Sequence, residues 1–368
     1  TIFPKGWGGY NFSSMGGFPI TRPKRCPVFQ FSLKSSVRVG SALLFLVLCG
    51  VPGHAYVDEP GYICSVQIAN DFFSGSTDRH FTHGTAVNCL TRPLPWVVKA
   101  ANRLPWFAVE EEIDEEKPRA RASFSINQSI FTPEDISRTD LIEKERPYAG
   151  WLNFGLGLVA NQGSRRFDRI EFNIGVIGPS SYAEEVQTNW HSFFDLDKPR
   201  GWDNQLKNEL GINLFYEQAR RFDKKSLVSG LEYDFLPHFG GSLGNVFTYA
   251  AAGFTVRMGP DLHEDFGPPR IRPSLPGGGF FRNRNGFNWY LFAGVEGRAV
   301  LRNIFLDGNS FRDSHSVDKK YLVGDLQAGL ALQFHRYRIA YTHIFRTKEY
   351  KTQDSPDEFG SLSLSCQF

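Results

Sequence analysis

Residues 68–84 read IANDFFSGSTDRHFTHG and concentrate polar side chains of the kinds that do chemistry. Carboxylate and carbonyl oxygens bind hard cations such as calcium, and a neutral imidazole accepts a proton near pH 7. The polar residues are Asn70, Asp71, Asp78, Arg79, His80, Thr82 and His83, and three phenylalanines, Phe72, Phe73 and Phe81, lie between them. A plain surface loop and a metal-dependent site for an apolar substrate are both compatible with this stretch. In the second case we expect the phenylalanines to face acyl chains or lipid.

A second dense segment, GPSSYAEEVQTNWHSFFDLDKPRGWDNQL at 178–206, supplies possible partners for the first. Its AEEVQTNWHSFF part is compatible with a short helix. His191 in this part is a candidate general base for water, and Asp71 and Asp197 are candidate oxygen ligands of calcium. A cation beside an ester carbonyl would stabilise the oxyanion formed on attack. Histidines in such segments also serve as surface or packing residues, so residue types alone leave both roles open.

A third motif, Gly240-Gly241-Ser242-Leu243-Gly244, matches the G-x-S-x-G pattern of serine hydrolases. That pattern marks a nucleophile only on a strand–turn–helix connection. Here LEYDFLP precedes it and NVFTYAAAGF follows it, and both read as strands. We therefore predict a glycine-rich turn or strand kink, with no catalytic role for Ser242.

Composition sets the class of protein in which these residues must be positioned. The chain has 368 residues and a formal charge of +2, so it carries no strong footprint for binding nucleic acid. With 36 glycines and aromatic residues at 15%, the composition favours an all-β fold. The cysteines show no zinc-binding spacing. Cys64 and Cys89 could form a disulfide in an oxidising compartment, although three cysteines beyond the leader leave one over.

The first 55 residues are typical of an export leader. Basic residues precede the apolar segment SALLFLVLCGVPG at 41–53, which is too short to span a bilayer as a helix. Small residues follow it, and we predict cleavage after Ala55. Residues 1–55 are thus a removable leader and signal peptide, and residues 56–368 form a single domain.

Alternation of apolar and polar residues recurs through that domain. It is clear in WLNFGLGLV (151–159), RIEFNIGV (169–176), YLFAGVEGRAVL (290–301) and YLVGDLQAGLALQF (321–334). Period-two alternation predicts strands with one apolar face. A soluble β-sandwich and a membrane barrel both satisfy this pattern, since the apolar face can meet a core or lipid.

Three features favour an antiparallel transmembrane β-barrel of the outer-membrane type. The strands are long enough to span a bilayer when tilted. Aromatic residues recur near strand ends and are expected to form an interfacial girdle: Trp151, Tyr290, Tyr321, Tyr337 and Tyr341. The chain ends GSLSLSCQF, and a last strand that finishes at Phe368 resembles the signal read by the barrel assembly machinery of bacteria.

The order of several motifs resembles the LpxR-type outer-membrane lipid A deacylases. The motifs are AND at 69–71, TDRHFTHG at 77–84, RPYAGW at 146–151, GPSSYAEEVQTNWH at 178–191 and GWDNQL at 201–206. The resemblance covers residues 62–368. It implies a barrel of twelve strands in the outer membrane of a Gram-negative bacterium, with outer-membrane lipids around it and a site near the outer-leaflet rim. It also implies calcium-dependent removal of the 3′-linked acyloxyacyl chain of lipid A, the lipid anchor of lipopolysaccharide.

Carried over residue by residue, the resemblance identifies Asn70, Asp71, Thr82 and His191 as active-site positions. Asp71 would help to hold calcium. Asp197 stands where the family can have a glutamate near the metal. Residues 91–119 look like an extended loop that could alter substrate access.

Two other functions remain compatible with the sequence. One is a different outer-membrane lipid esterase, such as a phospholipase that uses a serine and a histidine. The other is a barrel without catalytic activity, such as a channel, in which the dense polar segments are ordinary loops.

Overall fold

The computed structural model describes residues 61–74, 80–104, 107, 119–162, 165–227, 230–262, 265–267, 280–281 and 286–368. The predicted leader and its cleavage site at Ala55 lie outside these residues, as do Asp78 and Arg79 of the first dense segment.

The described residues form mainly strands, with a few short helices in the connections. The strands are β1 (Ile63–Asn70), β2 (His80–Leu90), β3 (Arg119–Thr132), β4 (Ala149–Gln162), β5 (Arg166–Ile177), β6 (Glu209–Arg220), β7 (Lys225–Ser226), β8 (Glu232–Gly244), β9 (Phe247–Gly259), β10 (Phe287–Asn303), β11 (Leu322–Phe334), β12 (Tyr337–Arg346) and β13 (Asp357–Gln367). The α-helices are α1 (Pro95–Ala101), α2 (Ala183–Phe194) and α3 (Ile304–Asp307). Short 3-10 turns occupy Asp71–Ser74, Pro179–Ser181 and Trp202–Asn204.

The strands close into a barrel. Neighbouring strands pair antiparallel around the ring, β1 pairs with β13, and β6 pairs with β8. The two-residue β7 pairs only with β8 and stands beside the ring, which leaves twelve long strands in the wall. Closure satisfies the backbone hydrogen bonds of every wall strand, as a bilayer requires. The predicted all-β antiparallel barrel is confirmed.

Alternation in the sequence corresponds to the two faces of this wall. In β4 and β5 the side chains of Phe154 and Ile174 are exposed on the outside, whereas Asn153 and Asn173 are buried in the lumen. An apolar outer face around a polar interior is the pattern of a membrane barrel. Among the described residues, no helix is long and apolar enough to cross a membrane.

The wall has two distinct ends. Asn70 and His80 mark the site end, and the opposite end carries both termini of the barrel. At the site end a cluster of buried apolar side chains from strands around the ring fills the lumen, together with Phe305 of α3. Phe305 stacks on Phe131 with ring centroids 4.0 Å apart. Buried ion pairs occupy the lumen as well, including Arg169–Glu171 at 2.8 Å.

The expected aromatic girdle is wrong at two positions. Trp151 is 0% exposed and belongs to the lumen cluster at the site end. Tyr290 is also buried, beneath the guanidinium of Arg257 at 5.2 Å from its ring. Tyr321 and Tyr341 are exposed. Position near a strand end does not fix which face a side chain occupies, since adjacent residues alternate between lumen and lipid.

The expectation that residues 91–119 alter substrate access stays a prediction, and the described strands show only where this segment begins. β2 runs from His80 at the site end to Leu90, which pairs with Ile63 at the termini end. The connection that follows therefore begins at the end of the barrel opposite the predicted site. In its described part, α1 packs through Val97 and Ala101 on alanines of β3 and β4.

Candidate active site

The site is organised around a β-bulge in β2. Phe81 pairs with Phe131 and His83 with Ile130, so Thr82 is an extra residue in the ladder. A bulge of this kind shifts the alternation and redirects side chains locally. In a regular strand Phe81 and His83 would lie on the same face. Because of the bulge, Phe81 lies in the lumen cluster and His83 lies on the other face, opposite Asn70. Phe81 therefore does not face lipid, contrary to the expectation for the phenylalanines of this segment.

Asn70 and Thr82 are in direct contact at the bulge. Asn70 Nδ2 donates a hydrogen bond to the backbone carbonyl of Thr82 at 2.9 Å and lies 3.2 Å from His83 Nδ1. The hydroxyl groups of Thr82 and Thr132 are 2.6 Å apart. All these groups are buried. The contacts hold the end of β1 and the bulged start of β2 in one geometry.

These residues lie on the outer side of the barrel wall. Ala69 faces the lumen cluster, so alternation places Asn70 on the opposite face, together with Ile68. His83 is opposite Asn70 in the register and shares that face. Further along the same face of β3, Ile126 is exposed where the wall meets lipid. The predicted site is thus continuous with the lipid-facing surface.

Asp71 follows Asn70 and opens the 3-10 turn Asp71–Ser74, with its side chain buried. A buried carboxylate is a suitable oxygen ligand for calcium. Within the described ranges, however, no group of three or more His, Cys, Asp or Glu side chains could hold a metal ion. The described residues thus supply Asp71 as one fitting donor and do not complete a coordination sphere.

Helix α2 lies against the outer wall beside the bulge. Its buried positions Ala183, Gln187 and His191 are spaced four apart and form one face. Gln128 of β3 donates to the carbonyl of Ser181 at 2.7 Å, just before the helix. Trp202 Nε1 donates to Gln187 at 3.0 Å from the following segment.

Gly150 of β4 permits this close approach. A Cβ atom at Gly150 would lie 2.1 Å from Ser181 Oγ and 2.2 Å from Ala183 Cβ. No side chain larger than hydrogen fits without moving the start of α2. Glycine in the RPYAGW motif therefore has a positional role for the helix that carries His191.

The His191 imidazole is 1% exposed and has a defined orientation. Its Nδ1 is hydrogen-bonded to the backbone carbonyl of Asp197. A carbonyl only accepts, so Nδ1 carries the proton, and in the neutral form of the ring the lone pair is on Nε2. The carboxylate of Asp197 is exposed, and it is the main chain of Asp197 that orients the histidine.

An aromatic contact joins α2 to the bulge. The ring of Trp190, the neighbour of His191, lies 5.0 Å from the ring of His83. Asn70 and Thr82 at the bulge and His191 on α2 thus lie at the outer wall of the site end, and Asp71 follows Asn70 directly in the chain. Three contributors were missed by sequence reasoning, namely Trp190, Thr132 and Gly150. Gly150 had a signal, since it lies within the quoted RPYAGW motif.

His80, although part of the dense segment, belongs to a separate buried network. It is hydrogen-bonded to Asp357, and its Nε2 lies 2.9 Å from the hydroxyl of Tyr350. That hydroxyl donates to Glu145 at 2.6 Å. Burial alone would raise the pKa of Glu145, but hydrogen bonds from His80 and Tyr350 hold this pKa below its ordinary value. The network ties the connections before β4 and β13 together.

Ser242 lies within β8, as predicted, and not at a nucleophile elbow. Its hydroxyl donates to the carbonyl of Phe247 at 3.0 Å and accepts from Asn213 Nδ2. These contacts stabilise the hairpin between β8 and β9, so the hydroxyl has a structural role.

The family model described as Outer membrane protein LpxR matches residues 41–368. The chain belongs to this family. Membership of the LpxR family, together with the barrel, places the protein in the outer membrane and supports a lipid A deacylase. A comparison with curated protein sequences finds no significant match.

A solved structure of an LpxR protein shows the same fold, and two further barrels are more distant. LpxR from Salmonella typhimurium is 20% identical, with a TM-score of 0.65, and the match covers 83% of this chain and 100% of that one. The β domain of the Bordetella autotransporter BrkA is 8% identical, with a TM-score of 0.42 and coverage of 84% and 100%. The translocator domain of NalP from Neisseria meningitidis is 12% identical, with a TM-score of 0.36 and coverage of 90% and 95%.

Proposed function

We propose that the protein hydrolyses the 3′-linked acyloxyacyl ester of lipid A in the outer leaflet, with a water molecule activated by His191 as the nucleophile and with calcium as cofactor. Membership of the LpxR family supports the substrate class. The observation that carries the mechanism is the hydrogen bond from His191 Nδ1 to the Asp197 carbonyl. It leaves Nε2 as a base in a buried position on the outer wall.

The proton transfers follow from that tautomer. Nε2 accepts a proton from water as the water oxygen bonds to the ester carbonyl carbon. The tetrahedral intermediate then expels the sugar alkoxide, which receives the proton from His191, and the fatty acid leaves as the acid product. Asn70 and Thr82 lie at the bulge next to His83, whose ring contacts Trp190, the neighbour of His191, and they would orient water or substrate through hydrogen bonds. Their mutual contact at the bulge fixes their geometry before substrate arrives.

Calcium, when bound, would polarise the ester carbonyl and stabilise charge on its oxygen. The buried Asp71 is the candidate ligand among the residues gathered at the bulge. The side chain of Asp197 is proposed as a second ligand on the family resemblance, and its exposure means that it would have to turn toward the site. Calcium dependence is tested by chelation and by replacement of these two carboxylates.

The position of the site supports a membrane lipid as substrate. Asn70 and His83 share the outer face of the wall with exposed apolar residues of the barrel. A lipid in the outer leaflet can reach this surface by lateral diffusion, with its acyl chains kept in hydrocarbon. The glucosamine ester would then lie near the rim, where the polar groups are.

The two other functions receive less support. A serine–histidine esterase needs an accessible serine, and Ser242 has its hydroxyl bonded within a hairpin. A channel needs an open lumen, whereas the site end is filled by Phe305, Trp151 and their neighbours. Neither alternative accounts for the oriented His191 on the outer wall.

The decisive experiment is mass spectrometry of lipid A from cells that express the protein or lack it. We expect loss of the 3′-linked acyloxyacyl group only in the expressing cells. His191→Ala should abolish the change and Ser242→Ala should preserve it, with both variants present as folded barrels. Lipid A of unchanged mass in cells that contain the folded wild-type protein would contradict the proposal.

A further inference from the structure

The C-terminal turn of α2 exposes aromatic side chains directly beside His191. Phe193 is 68% exposed, and Phe194 is also exposed. These rings are not isolated: Phe193 packs on Phe194 at 4.9 Å, Phe194 on Trp190 at 4.8 Å, and Trp190 on His83 at 5.0 Å. A continuous row of rings therefore runs from the bulge to the surface. We call His83, Trp190, Phe194 and Phe193 the aromatic row.

Exposed phenylalanines at this place are costly in water. Burying an aromatic side chain is favourable, so two exposed rings on one turn indicate a surface that is covered in its native setting. At its other end the row begins at His83 on the outer face of β2, and on the same face the adjacent strand β3 presents exposed Ile126 and Phe124 to lipid. The aromatic row is thus continuous with the lipid-facing band of the barrel.

From this continuity we propose that the aromatic row inserts into the outer leaflet and binds an acyl chain of the substrate alongside His191. The inference rests on the proposed function for the identity of the substrate, but membrane insertion itself does not. Aromatic rings suit the membrane interface because their flat apolar faces pack on methylene chains. Phe193 and Phe194 are then substrate-positioning residues, which place the ester carbonyl relative to Nε2 of His191.

Membrane insertion is tested without any activity measurement. Nitroxide spin labels are placed on Phe193→Cys and, as a control, on Phe311→Cys, which is 81% exposed in a different connection at the same barrel end. Each labelled protein is reconstituted in vesicles of phosphatidylcholine and lipid A. We expect the label at 193 to collide mainly with oxygen dissolved in lipid and the label at 311 mainly with a water-soluble nickel chelate. Equal access of the nickel chelate to both labels would overturn the inference.

Substrate positioning is tested by kinetics on lipid A in the same vesicles. The double variant Phe193→Ser, Phe194→Ser should lower kcat/KM by about tenfold or more, mainly through KM, because two chain contacts are lost. Phe311→Ser should leave it unchanged. If wild-type protein does not deacylate lipid A, the proposed function fails, while the spin-label result still decides insertion. Equal kcat/KM for the double variant and Phe311→Ser would overturn the positioning role.

A second, independent inference concerns three cysteines in one row across the barrel seam. Cys64 of β1 forms a disulfide with Cys89 of β2, its direct partner in the register. On the other side Cys64 is in register with Cys366 of β13, a free thiol that is 2% exposed. Directly opposite residues of adjacent strands share one face, so all three side chains lie on the same side of the wall.

We infer that Cys366 is an alternative partner of Cys64. Opposite residues in antiparallel pairs have Cα atoms about 4.5–5.5 Å apart, within the range that a disulfide spans. In exchange, the Cys366 sulfur gives up its proton and attacks Cys64 Sγ from the side opposite Cys89. Cys89 leaves as a thiolate and takes up a proton. The product joins the first and last strands of the barrel covalently.

Non-reducing peptide mass spectrometry tests this inference on protein from the outer membrane, with free thiols alkylated in acid. Cys89→Ser should yield a Cys64–Cys366 cross-link, and Cys64→Ser should leave two free thiols. Wild-type protein in a glutathione redox buffer should show both cross-links. A folded Cys89→Ser barrel with two free thiols, or wild-type protein with Cys64–Cys89 alone, would overturn the inference.

Discussion

The imidazole of His191 is held by the backbone carbonyl of Asp197, six residues further along the chain. The contact spans the end of α2, where Asp195 adopts a left-handed conformation and its N–H bonds to the carbonyl of His191. The chain therefore folds back on the residue that it must orient. Since a main-chain oxygen does this, the orientation of His191 is independent of the side chain at position 197.

His191→Ala should lower the rate of lipid A deacylation by about a hundredfold to ten-thousandfold, the usual contribution of a general base. The barrel should remain folded, because the residue lies in a connection and not in the wall. Released fatty acid is measured by mass spectrometry, and folding by the shift in gel migration on heating. Ser242→Ala is the matched control with normal activity. A folded His191→Ala protein that retains full activity would show that another group activates the nucleophile.

Gly150→Ala should reduce activity by a route that does not involve the catalytic groups themselves. The added Cβ would meet Ser181 and Ala183, so the start of α2 must move outward. A misplacement of about 1 Å can cost roughly a hundredfold in rate. Gly297→Ala is a suitable control, since a Cβ there has no neighbour within 4 Å. Equal activity of the two variants would mean that α2 tolerates the displacement.

Chelation should abolish activity, and calcium should restore it, if Asp71 provides a ligand as proposed. Asp71→Asn should then raise the calcium concentration needed for half-maximal activity, because a hard cation loses a charged oxygen. Asp197→Asn tests the second proposed ligand separately, since the backbone contact to His191 survives the substitution. Full turnover in excess chelator would exclude the calcium role. If Asp197→Asn has a normal calcium requirement, Asp197 contributes to the site only through its backbone carbonyl, which orients His191.

The sequence was sufficient for the barrel because alternation is a local property of each strand. Phe154 and Ile174 face outward, and Asn153 and Asn173 inward, as a period of two requires. The sequence did not predict that Trp151 and Tyr290 face the lumen. Whether a side chain faces the lumen or the lipid depends on the strand register and not on how near the residue is to a strand end. Phe81 was misassigned for a related reason, since the bulge at Thr82 changes the phase of β2.

The candidate site was predictable only in part. Motif order identified Asn70, Asp71, Thr82 and His191, which all lie at one barrel end. The backbone role of Asp197 was not readable, because a main-chain contact leaves no mark on residue type. The segment 91–119 begins at the barrel end opposite the site, because β2 ends at Leu90 beside Ile63, and its effect on substrate access stays a prediction. The contact of Trp190 with His83 could not be predicted from the sequence, which shows only that Trp190 precedes His191.

The filled lumen predicts that the protein conducts no ions. Phe305 packs among Phe131, Trp151 and Phe247, with centroid separations of 4.0, 6.5 and 5.4 Å. Planar lipid bilayers containing the protein should show no channel currents. Phe305→Ala should destabilise the barrel by about 3–5 kcal/mol through the cavity that it leaves, measured as denaturant-induced unfolding in detergent. Steady single-channel currents from the wild-type protein would favour the channel interpretation instead.

The site-end connections should loosen in acid because of Glu349. This buried carboxylate lies 3.3 Å from Arg146 and 3.9 Å from Arg346. Burial alone would raise the pKa of Glu349, but the two guanidinium groups outweigh it and hold this pKa below its ordinary value of 4.5. A pKa that is lower in the folded state stabilises the fold fully above the unfolded value, and this contribution is lost as the pH falls through the folded value. Glu145 acts in the same direction, since its pKa is lowered as well.

Hydrogen exchange of the segments 133–148 and 347–356 measures this loss. Protection should be constant from pH 7 to about 5 and should fall progressively below the ordinary pKa of about 4.5, after correction for the intrinsic exchange rate. Glu349→Gln leaves Arg146 and Arg346 with less compensation, and breaking such a buried pair costs about 3–5 kcal/mol. This variant should therefore lose protection already at pH 7 and show a weaker response to acid. Protection that stays constant to pH 3 in the wild-type protein would show that the arginines are held by other contacts and that Glu349 does not control these connections.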